Sequence, residues 1–462
     1  MQYDIVILGD NMDIKEKILQ NKEEMIEKLT KLVSYNSVLN EPCGENAPYG
    51  KETALCLEEA LSMAKEYGFE TKNLDGHCGY AQIGNGREII GILAHLDIVP
   101  AGNGWDSDPF VATIRDNKIY GRGTSDDKGG TIASMFALKL IKESGIELNK
   151  RIRLILGCNE ETGSNCIKHY IEKEGNVDVG FTPDADFPVI HGEKGQIKAI
   201  FKCKNGGTFR INGGVVENAV SDNCTVEIGK EEYNKELLEE YFKANNIEYF
   251  IESNQNKDII KVKGLASHAC RPHLGINAIS HAILALKNAG VSNNLVDFYS
   301  KYIGLETDGD SLGIKCEDKY GTLTCTNGKI WTEDNEIIGS LDIRIPVSLD
   351  NNEIEKILTS IDCNETEMIV KTNRKGLFYP EDSKLIQTFM KVYREVTGDK
   401  NAKPITIGGG TYAKEMKNCV AFGCAFPNTN NRIHDANEFV DIDELLLQVE
   451  LYYNAILELL KL

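Results

Sequence analysis

The sequence predicts an α/β domain with a mostly parallel sheet and helices on both faces, interrupted by an inserted α+β domain. The first observation is that short apolar runs alternate with segments of helical apolar spacing, as in strand–helix–strand units. The second is a change of pattern near Gly195, after which strand-like segments dominate. The third is the return of helix and strand in the closing segment. We therefore predict a first domain of residues 1–193 and 381–462 and an inserted domain of residues 194–380.

The elements of the first domain follow from their apolar periodicity. Ile14 to Val33 carries apolar residues at helical spacing among charged ones and predicts one amphipathic surface helix. Ile89 to Ala94 is a continuous apolar run, typical of a strand buried on both faces. Gly130 to Ile141 has helical spacing, and the segments Arg151 to Leu156 and Val177 to Thr182 read as further strands. This alternation predicts parallel pairing.

The inserted domain is predicted from a different mixture of elements. Two helices against several strands indicate an α+β module with an antiparallel sheet. The Asn327-Gly328 pair predicts a hairpin with a type I′ turn. The predicted strands are Gln196 to Cys203, Asp258 to Lys263, Gly321 to Thr326 and Glu336 to Pro346, and the predicted helices are Asn277 to Asn288 and Asn352 to Ile361.

Composition excludes several classes of function. The 462 residues include 51 basic and 71 acidic side chains, a formal net charge of −20, which argues against binding nucleic acid or an anionic membrane. No segment approaches the roughly 18 apolar residues of a transmembrane helix, and the first residues do not resemble a signal peptide. The thirteen cysteines include no Cys-x-x-Cys pair and are typical of reduced thiols in a cytoplasmic protein.

Polar residues follow three of the predicted parallel strands. His95 to Asp97, Asn159 to Glu161 and Asp184 to Asp186 each begin within three residues of the end of an apolar strand. A further acidic pair, Asp126-Asp127, stands in a Gly-rich loop before the next helix. Because the carboxyl ends of strands in an open α/β sheet face the ligand crevice, we expect the three groups that follow strands to converge there.

One histidine among several carboxylates predicts a divalent-metal site. Imidazole and carboxylate ligands suit zinc, manganese or cobalt, and a neighbouring carboxylate can act as general base toward a metal-activated water. Each motif also has a simpler interpretation. His-x-Asp can be turn chemistry, Asp-Asp a helix N-cap, and Glu-Glu a solvated surface. Their joint occurrence at successive strand ends favours the metal site.

Six segments of the sequence together resemble one enzyme family. They occur in the order found in co-catalytic metallopeptidases of the aminoacylase/carboxypeptidase group. Their residues most resemble those of the peptidase V-type, carnosinase-like dipeptidases. The segments are GILAHLDIVPAGNGW, GRGTSDDKGG, GCNEETGS, PDADFPVIHGEKG, SHACRPHLGINA and NRIHDANEF.

This resemblance implies five metal ligands. His95 and Asp184 would bind one divalent ion, Glu161 and His434 would bind a second, and Asp126 would bridge both. The implied cofactor is therefore two divalent metal ions per chain, with zinc expected first and manganese or cobalt as alternatives.

The resemblance also implies two further working residues beside the metals. Glu160 would be the general base that deprotonates water and later gives the proton to the leaving amine. Asp97 would hold the imidazole of His95 in its ligating tautomer.

The inserted domain would then act as a lid that completes the site. His268 would stabilise the oxyanion, and Asn218 would help at the same place. Arg344 would pair with the substrate's carboxylate, for which bidentate arginine is suited. The backbone of Gly409 and Gly410 would lie close to that carboxylate.

We therefore expect a metal-dependent dipeptidase that hydrolyses unblocked dipeptides. The alternatives are an N-acyl-amino-acid deacylase that uses the same two-metal site and a non-catalytic metal-binding protein. The expected partner is a small peptide substrate, without nucleic acid or membrane, and the expected state is a cytoplasmic monomer or weak homodimer.

Overall fold

The computed structural model describes residues 13–205, 209–361, 363 and 365–462. The expectation about a signal peptide falls on residues 1–12 and lies outside the described residues. The helices of the described chain are α1 (Ile14–Gln20), α2 (Lys22–Val33), α3 (Lys51–Glu66), α4 (Lys128–Glu143), α5 (Asn165–Glu174), α6 (Lys235–Ala244), α7 (Ala278–Asn288), α8 (Asn294–Tyr302), α9 (Asn351–Thr359), α10 (Lys384–Thr397) and α11 (Ile442–Leu459).

The strands of the described chain are short and numerous. They are β1 (Glu70–Leu74), β2 (Cys78–Ile83), β3 (Ile89–His95), β4 (Thr113–Arg115), β5 (Lys118–Tyr120), β6 (Arg151–Gly157), β7 (Val179–Thr182), β8 (Ile190–Glu193), β9 (Gly195–Lys204), β10 (Phe209–Gly213), β11 (Asn223–Gly229), β12 (Tyr249–Ser253), β13 (Lys257–Lys263), β14 (Glu317–Asp318), β15 (Gly321–Thr322), β16 (Thr324–Thr326), β17 (Ile330–Glu333), β18 (Glu336–Ile345), β19 (Thr366–Arg374), β20 (Leu377–Phe378), β21 (Ile405–Ile407), β22 (Cys419–Ala421) and β23 (Phe439–Asp441).

The chain divides into two compact units. The first comprises Met1–His191, Tyr379–Ile405 and Gly410–Leu462, and the second comprises Gly192–Phe378 and Thr406–Gly409. The chain thus leaves the first unit within β8 and returns to it after β20, with a short second excursion at residues 406–409.

The first unit is built on a mixed sheet with a parallel centre. Its strand order runs β1-β2-β6-β3-β7-β22-β8, in which β3 is parallel to both β6 and β7, and β22 is parallel to β7. The outer pairs β1–β2, β2–β6 and β22–β8 are antiparallel. Helix α3 packs on β1 and β2, α4 packs on β3 and β6, and α11 packs on α4. The predicted α/β class is confirmed, and the parallel pairs β6–β3, β3–β7 and β7–β22 stand at the centre of the sheet.

Burial explains why β3 reads as an unbroken apolar run. All seven residues from Ile89 to His95 are buried, because a neighbouring strand lies on each side and α4 packs against it. A central parallel strand has no solvated face, so alternation with polar residues would leave unpaired polar groups inside. His95, fully buried at the end of this strand, is the exception.

The predicted helix from Ile14 to Val33 is in fact two helices. The break falls at Asn21, which ends α1 and precedes α2. The side-chain amide of Asn21 donates to the carbonyl of Lys17 at 2.8 Å. The side chain of asparagine competes for main-chain hydrogen bonds that would otherwise continue the helix. The spacing of apolar residues is helical on both sides of Asn21, so it did not predict the break.

The second unit contains an antiparallel sheet with helices packed on it. The strand order is β12-β13-β11-β10-β17-β18-β9-β19, and β16 also pairs with β18. Helix α7 packs on β11 and β13, whereas α8 and α9 pack on β9 and β19. The sequence predicted two helices here, and α6 and α8 are additional. Helix α6 is short and buries only Leu238 and Phe242, which is a weak periodic signal.

The predicted hairpin at Asn327-Gly328 is wrong. The flanking strands β16 and β17 do not pair with each other, because both pair antiparallel with β18. Asn327 is buried, and its side-chain amide donates to the carbonyl of Ser340 at 2.7 Å. The pair therefore interrupts one edge of the sheet, and the true hairpin joins β17 to β18 at Asp334, where φ is 50°.

Two global features concern membranes and thiols. Among the helices described, none has the combination of length and apolarity that crossing a bilayer requires. All thirteen cysteines lie in the described ranges as free thiols, and most of them are buried.

Candidate active site

The sheet order brings the polar strand ends of the first unit together. Strand β3 lies between β6 and β7, and His95, its last residue, is in register with Gly157 at the end of β6. Glu160 follows β6 by three residues, and Asp184 follows β7 by two. Because the three strands are parallel, their carboxyl ends reach the same edge, as the sequence predicted.

Asp126 lies between two histidines. Its Oδ1 is 2.9 Å from Nε2 of His95, and its Oδ2 is 2.9 Å from Nε2 of His434. One carboxylate thus faces two imidazoles, one through each oxygen. This is the arrangement in which an aspartate could bridge two cations.

Each histidine has a second carboxylate beside it. Asp184 Oδ2 lies 3.7 Å from Nε2 of His95, and Glu161 Oε2 lies 3.3 Å from Nε2 of His434. The other oxygen of Glu161, Oε1, is buried and has no hydrogen-bond partner among the residues described. The donors therefore form two sets that share Asp126, and their imidazole and carboxylate chemistry fits zinc, manganese or cobalt.

Glu160 lies on the His95 side of this cluster. Ligand-type atoms of His95, Glu160 and Asp184 are within 4.8 Å of one another, and so are those of His95, Asp126 and Glu161. By distance alone, Glu160 could therefore serve as a ligand or as a proton carrier. The side chain of His434 is 52% exposed, which leaves this side of the cluster accessible from solvent.

The cluster is held together by charge. Although burial acts in the other direction, the contacts with Asp126 and Glu161 raise the pKa of His434 to about 11, and the neighbouring Asp184 and Asp126 carboxylates raise the pKa of His95. Burial and the charge of Asp126 raise the pKa of Glu161 to about 7. Burial and the charge of Asp184 raise the pKa of Glu160. The histidines thus take the place of cations between the carboxylates.

Metal binding should therefore release protons. Imidazole ligates a metal only in its neutral form, so at neutral pH binding should expel about two protons per chain from His95 and His434, with a further contribution from Glu161. The measurement is a calorimetric titration of metal-free protein with Zn²⁺ in two buffers of different ionisation enthalpy. The affinity for Zn²⁺ should weaken as the pH falls, because a higher proton concentration competes more effectively with the metal for the two imidazoles. A heat of binding that is the same in both buffers would contradict this assignment.

Asp97 has two distinct sets of contacts. Its main-chain carbonyl lies 2.9 Å from Nδ1 of His95, while its Oδ1 is farther from that nitrogen, at 3.5 Å. Its carboxylate accepts the backbone N–H of Glu160 at 3.0 Å and of Glu161 at 3.1 Å. Asp97 therefore contacts the imidazole mainly through its backbone and fixes the Glu160-Glu161 turn through its side chain.

The Asp126-Asp127 pair does not form a side-chain N-cap, although Asp127 precedes α4. The peptide bond between the two residues is cis. Instead of capping the helix, Oδ2 of Asp127 accepts the backbone N–H of His95 at 3.2 Å.

Two buried residues near the cluster were missed from the sequence. Arg122 and Glu438 are almost fully buried and form an ion pair with Nη1 and Oε2 2.6 Å apart. Both stand inside segments that carried the family resemblance, since Arg122 is in GRGTSDDKGG and Glu438 is in NRIHDANEF. The resemblance therefore included both residues. Their function became apparent only from the contact between their side chains, which lie 316 positions apart in the sequence.

The second unit brings together the expected lid residues in two groups. Ala219 and His268 form an antiparallel bridge, and the N–H of Ala269 donates to the carbonyl of Asn218 at 3.0 Å. Asn218 and His268 are both exposed. Nδ1 of His268 lies 3.2 Å from the backbone N of Cys270, which donates to it.

Arg344 is held by a buried carboxylate. Its Nε and Nη2 donate to the two oxygens of Asp342 at 2.5 and 3.1 Å, and its Nη1 donates to the carbonyl of Gly408 at 3.1 Å. Gly408 approaches Cys270 so closely that a Cβ would lie 2.4 Å from that of the cysteine. Gly409 belongs to the second unit and Gly410 to the first.

The imidazole and carboxylate groups at this sheet edge form a donor set for divalent metal, and comparison with known proteins gives the family. The sequence profile described as Peptidase family M20/M25/M40 matches residues 91–458. A Bacillus subtilis relative named "Putative dipeptidase YtjP" is 34% identical over 467 residues, covering 97% of this chain and 100% of the relative. A Staphylococcus epidermidis relative named "Putative dipeptidase" is 31% identical, covering 96% and 98%. The chain belongs to peptidase family M20/M25/M40.

Solved structures share the fold at low sequence identity. The crystal structure of human carnosine dipeptidase 1 aligns with a TM-score of 0.61 and 16% identity, covering 98% of this chain and 100% of that one. At this level of identity the likeness concerns the fold alone.

Proposed function

We propose that this protein is a dipeptidase that hydrolyses unblocked dipeptides with the help of two divalent metal ions. The observation that carries the proposal is the position of Asp126, whose two carboxylate oxygens each lie 2.9 Å from a different histidine. The names of the two curated relatives point to the same substrate class.

The ligands divide into two sets that share one residue. His95 and Asp184 would hold one ion, Glu161 and His434 would hold the other, and Asp126 would contribute to both. The buried Oε1 of Glu161, unpartnered among the described residues, supports its assignment because a buried carboxylate oxygen needs a donor or a cation. Zinc is the first expectation, and manganese or cobalt would suit the same ligands.

Glu160 is assigned as the proton carrier. When bound, two divalent ions would activate water and polarise the scissile carbonyl. Glu160 is assigned this role because its carboxylate lies within 4.8 Å of the ligand-type atoms of His95 and Asp184. From there an ionised carboxylate would accept a proton from water and hand it to the leaving amine. Asp97 supports this step because its carboxylate holds the backbone N–H of Glu160.

The second unit would act as the lid. We assign residues 1–193 and 381–462 to the catalytic domain and residues 194–380 to the lid, a division supported by the two compact units. His268 would stabilise the oxyanion with help from Asn218. The N–H of Cys270 donates to Nδ1 of His268, which favours the tautomer with its proton on Nε2.

Arg344, Gly409 and Gly410 would receive the substrate's carboxylate. The contacts of Arg344 with Asp342 and Gly408 use three of the five guanidinium hydrogens, which leaves two for an anion. The buried Asp342 keeps the guanidinium in a fixed orientation, so an incoming carboxylate would meet a prearranged partner.

The role of Arg344 predicts a specific loss of discrimination. Wild-type enzyme should hydrolyse a dipeptide about 10–100-fold better than its C-terminal amide, since the amide cannot accept a charge-assisted bidentate bond. Arg344→Met should bring both substrates to nearly the same low kcat/KM. The matched control is Arg374→Met, another arginine of the second unit. If amidation harmed Arg344→Met as much as wild type, the carboxylate would be bound elsewhere.

A cytoplasmic enzyme acting on small peptides is the expected setting. Thirteen free thiols, most of them buried, are typical of a reducing compartment. A monomer or weak homodimer stays a prediction, which sedimentation of the metal-loaded protein tests.

The test of the proposed function is a substrate panel. Metal-loaded protein should cleave unblocked dipeptides and leave N-acetyl amino acids nearly intact. An N-acyl-amino-acid deacylase with the same two-metal site would show the opposite preference, and a non-catalytic metal-binding protein would cleave neither. Hydrolysis of N-acetyl amino acids alone would replace the dipeptidase proposal by the deacylase.

A further inference from the structure

The Arg122–Glu438 ion pair lies beside the candidate metal cluster but contains none of its ligands. Side chains of both residues are only 1% exposed, and Nη1 of Arg122 is 2.6 Å from Oε2 of Glu438. A buried charge pair is costly to desolvate unless further hydrogen bonds satisfy it. The further hydrogen bonds of the two side chains therefore show which parts of the chain the pair holds in place.

Glu438 holds the loop that carries Asp126. Its Oε1 accepts the backbone N–H of Asp126 at 3.1 Å and of Ser125 at 2.9 Å. Its Oε2 accepts the N–H of Gly123 at 3.1 Å, and its own main-chain carbonyl accepts the N–H of Gly121 at 3.0 Å. One carboxylate thus fixes three backbone positions of this loop, including that of the residue between the two histidines.

Arg122 holds the segment that carries His434. Its Nη2 donates to the carbonyl of His434 at 3.2 Å and reaches the carbonyls of Ala101 at 3.3 Å and Pro100 at 3.5 Å. The guanidinium also lies over the ring of Trp105, 5.3 Å from its centroid. Because this bond is to the main chain of His434 itself, the arginine fixes the backbone position from which the imidazole extends toward the cluster.

The His434 segment needs such support. His434 adopts a left-handed backbone with φ of 66°, and Arg432 and Asn437 do so as well, with φ of 57° and 61°. Residues other than glycine adopt this backbone conformation at an energetic cost, which surrounding contacts must offset. A bond to the carbonyl of His434 itself acts at the strained residue.

We infer that the Arg122–Glu438 pair positions the metal ligands and acts unequally on the two ions. Glu438 fixes Asp126, which is shared by both ligand sets, so its loss weakens both ions. Arg122 fixes His434, which serves one ion, so losing its bond to the His434 carbonyl while a cation stays beside Glu438 weakens that ion selectively. This inference rests on the two-metal assignment of the proposed function.

The test is a titration of metal-free protein with Zn²⁺ against a competing chelator, which yields two binding constants. Arg122→Lys keeps the charge but loses the planar fork that reaches several carbonyls. We expect one Zn²⁺ constant to weaken about 10–100-fold, as is usual for supporting residues of metal sites, while the other stays near wild type. Glu438→Gln should weaken both constants. Arg153→Lys is the matched control, because Arg153 is also buried in the first unit, beside Glu174 at 3.1 Å.

The His434→Ala background assigns the affected ion. In that background only the ion of the His95 set remains, so adding Arg122→Lys should change nothing, whereas adding Glu438→Gln should still weaken the remaining ion. Far-UV circular dichroism of each metal-free variant checks that the fold is retained, and Arg122→Lys decides the matter if Glu438→Gln does not fold.

Two results would overturn the inference. One is wild-type Zn²⁺ constants in Arg122→Lys, and the other is equal weakening of both constants by that variant, as a general structural defect would produce. Failure of the two-metal assignment gives a different result, because wild-type protein itself would then bind fewer than two Zn²⁺ ions per chain, and failure of the dipeptidase assignment alone would show only in the substrate panel.

Discussion

Glu160→Gln is expected to keep two metal ions per chain and to lower kcat by about 10²–10⁴-fold, the usual contribution of a general acid–base group. The reason is that glutamine preserves the size of the side chain and cannot carry the proton. The same substitution leaves all five assigned ligands in place. The measurement combines metal analysis with steady-state hydrolysis of an unblocked dipeptide.

The neighbouring residue provides the contrast for this prediction. Glu161→Gln should lose one of the two ions, because Glu161 is assigned as a ligand beside His434. Glu172→Gln, an exposed glutamate of the same unit, is the control for loss of a negative charge. Since Glu160 also lies within ligand distance of His95 and Asp184, a Glu160→Gln variant that lost an ion would identify Glu160 as a ligand instead.

Asp126→Ala is expected to remove both ions and all measurable turnover. No other described carboxylate contacts both His95 and His434, one through each oxygen. Without it, each ligand set loses a member and the two sets no longer share a charge. Metal analysis after gel filtration should find less than one ion per chain, whereas a site with independent ions would retain one.

The control for this variant is an aspartate outside the cluster. Asp310→Ala removes an exposed carboxylate of the second unit that lies 3.6 Å from Lys315, and it should retain two ions and wild-type kcat. Circular dichroism of the metal-free Asp126→Ala protein separates loss of metal from loss of fold. A folded Asp126→Ala protein that still held two ions would remove Asp126 from the bridging position.

Local sequence patterns predicted the part of the site that depends on the parallel sheet. An unbroken apolar run from Ile89 to Ala94 requires a strand covered on both faces, and parallel strands end at a common edge. The placement of His95, Glu160 and Asp184 follows from those two facts. Asp126 and His434 could not be placed in this way, because they stand in loops, and only the family resemblance connected them to the cluster.

Long-range polar pairing was invisible to the sequence. Nothing in the spacing of Arg122 and Glu438 indicates that their side chains meet, and each taken alone reads as an ordinary charged loop residue. The mistaken hairpin at Asn327 has a similar cause. The Asn-Gly signal describes a turn in isolation, whereas the buried amide of Asn327 is committed to the carbonyl of Ser340 in the neighbouring strand.

The most direct test of a two-metal dipeptidase is to follow hydrolysis of an unblocked dipeptide while metal-free protein is titrated with Zn²⁺, with Mn²⁺ and Co²⁺ in parallel. We expect no hydrolysis before metal is added and a plateau at two equivalents per chain for the metal that supports turnover. Hydrolysis by the metal-free protein, or full activity at one equivalent, would contradict it.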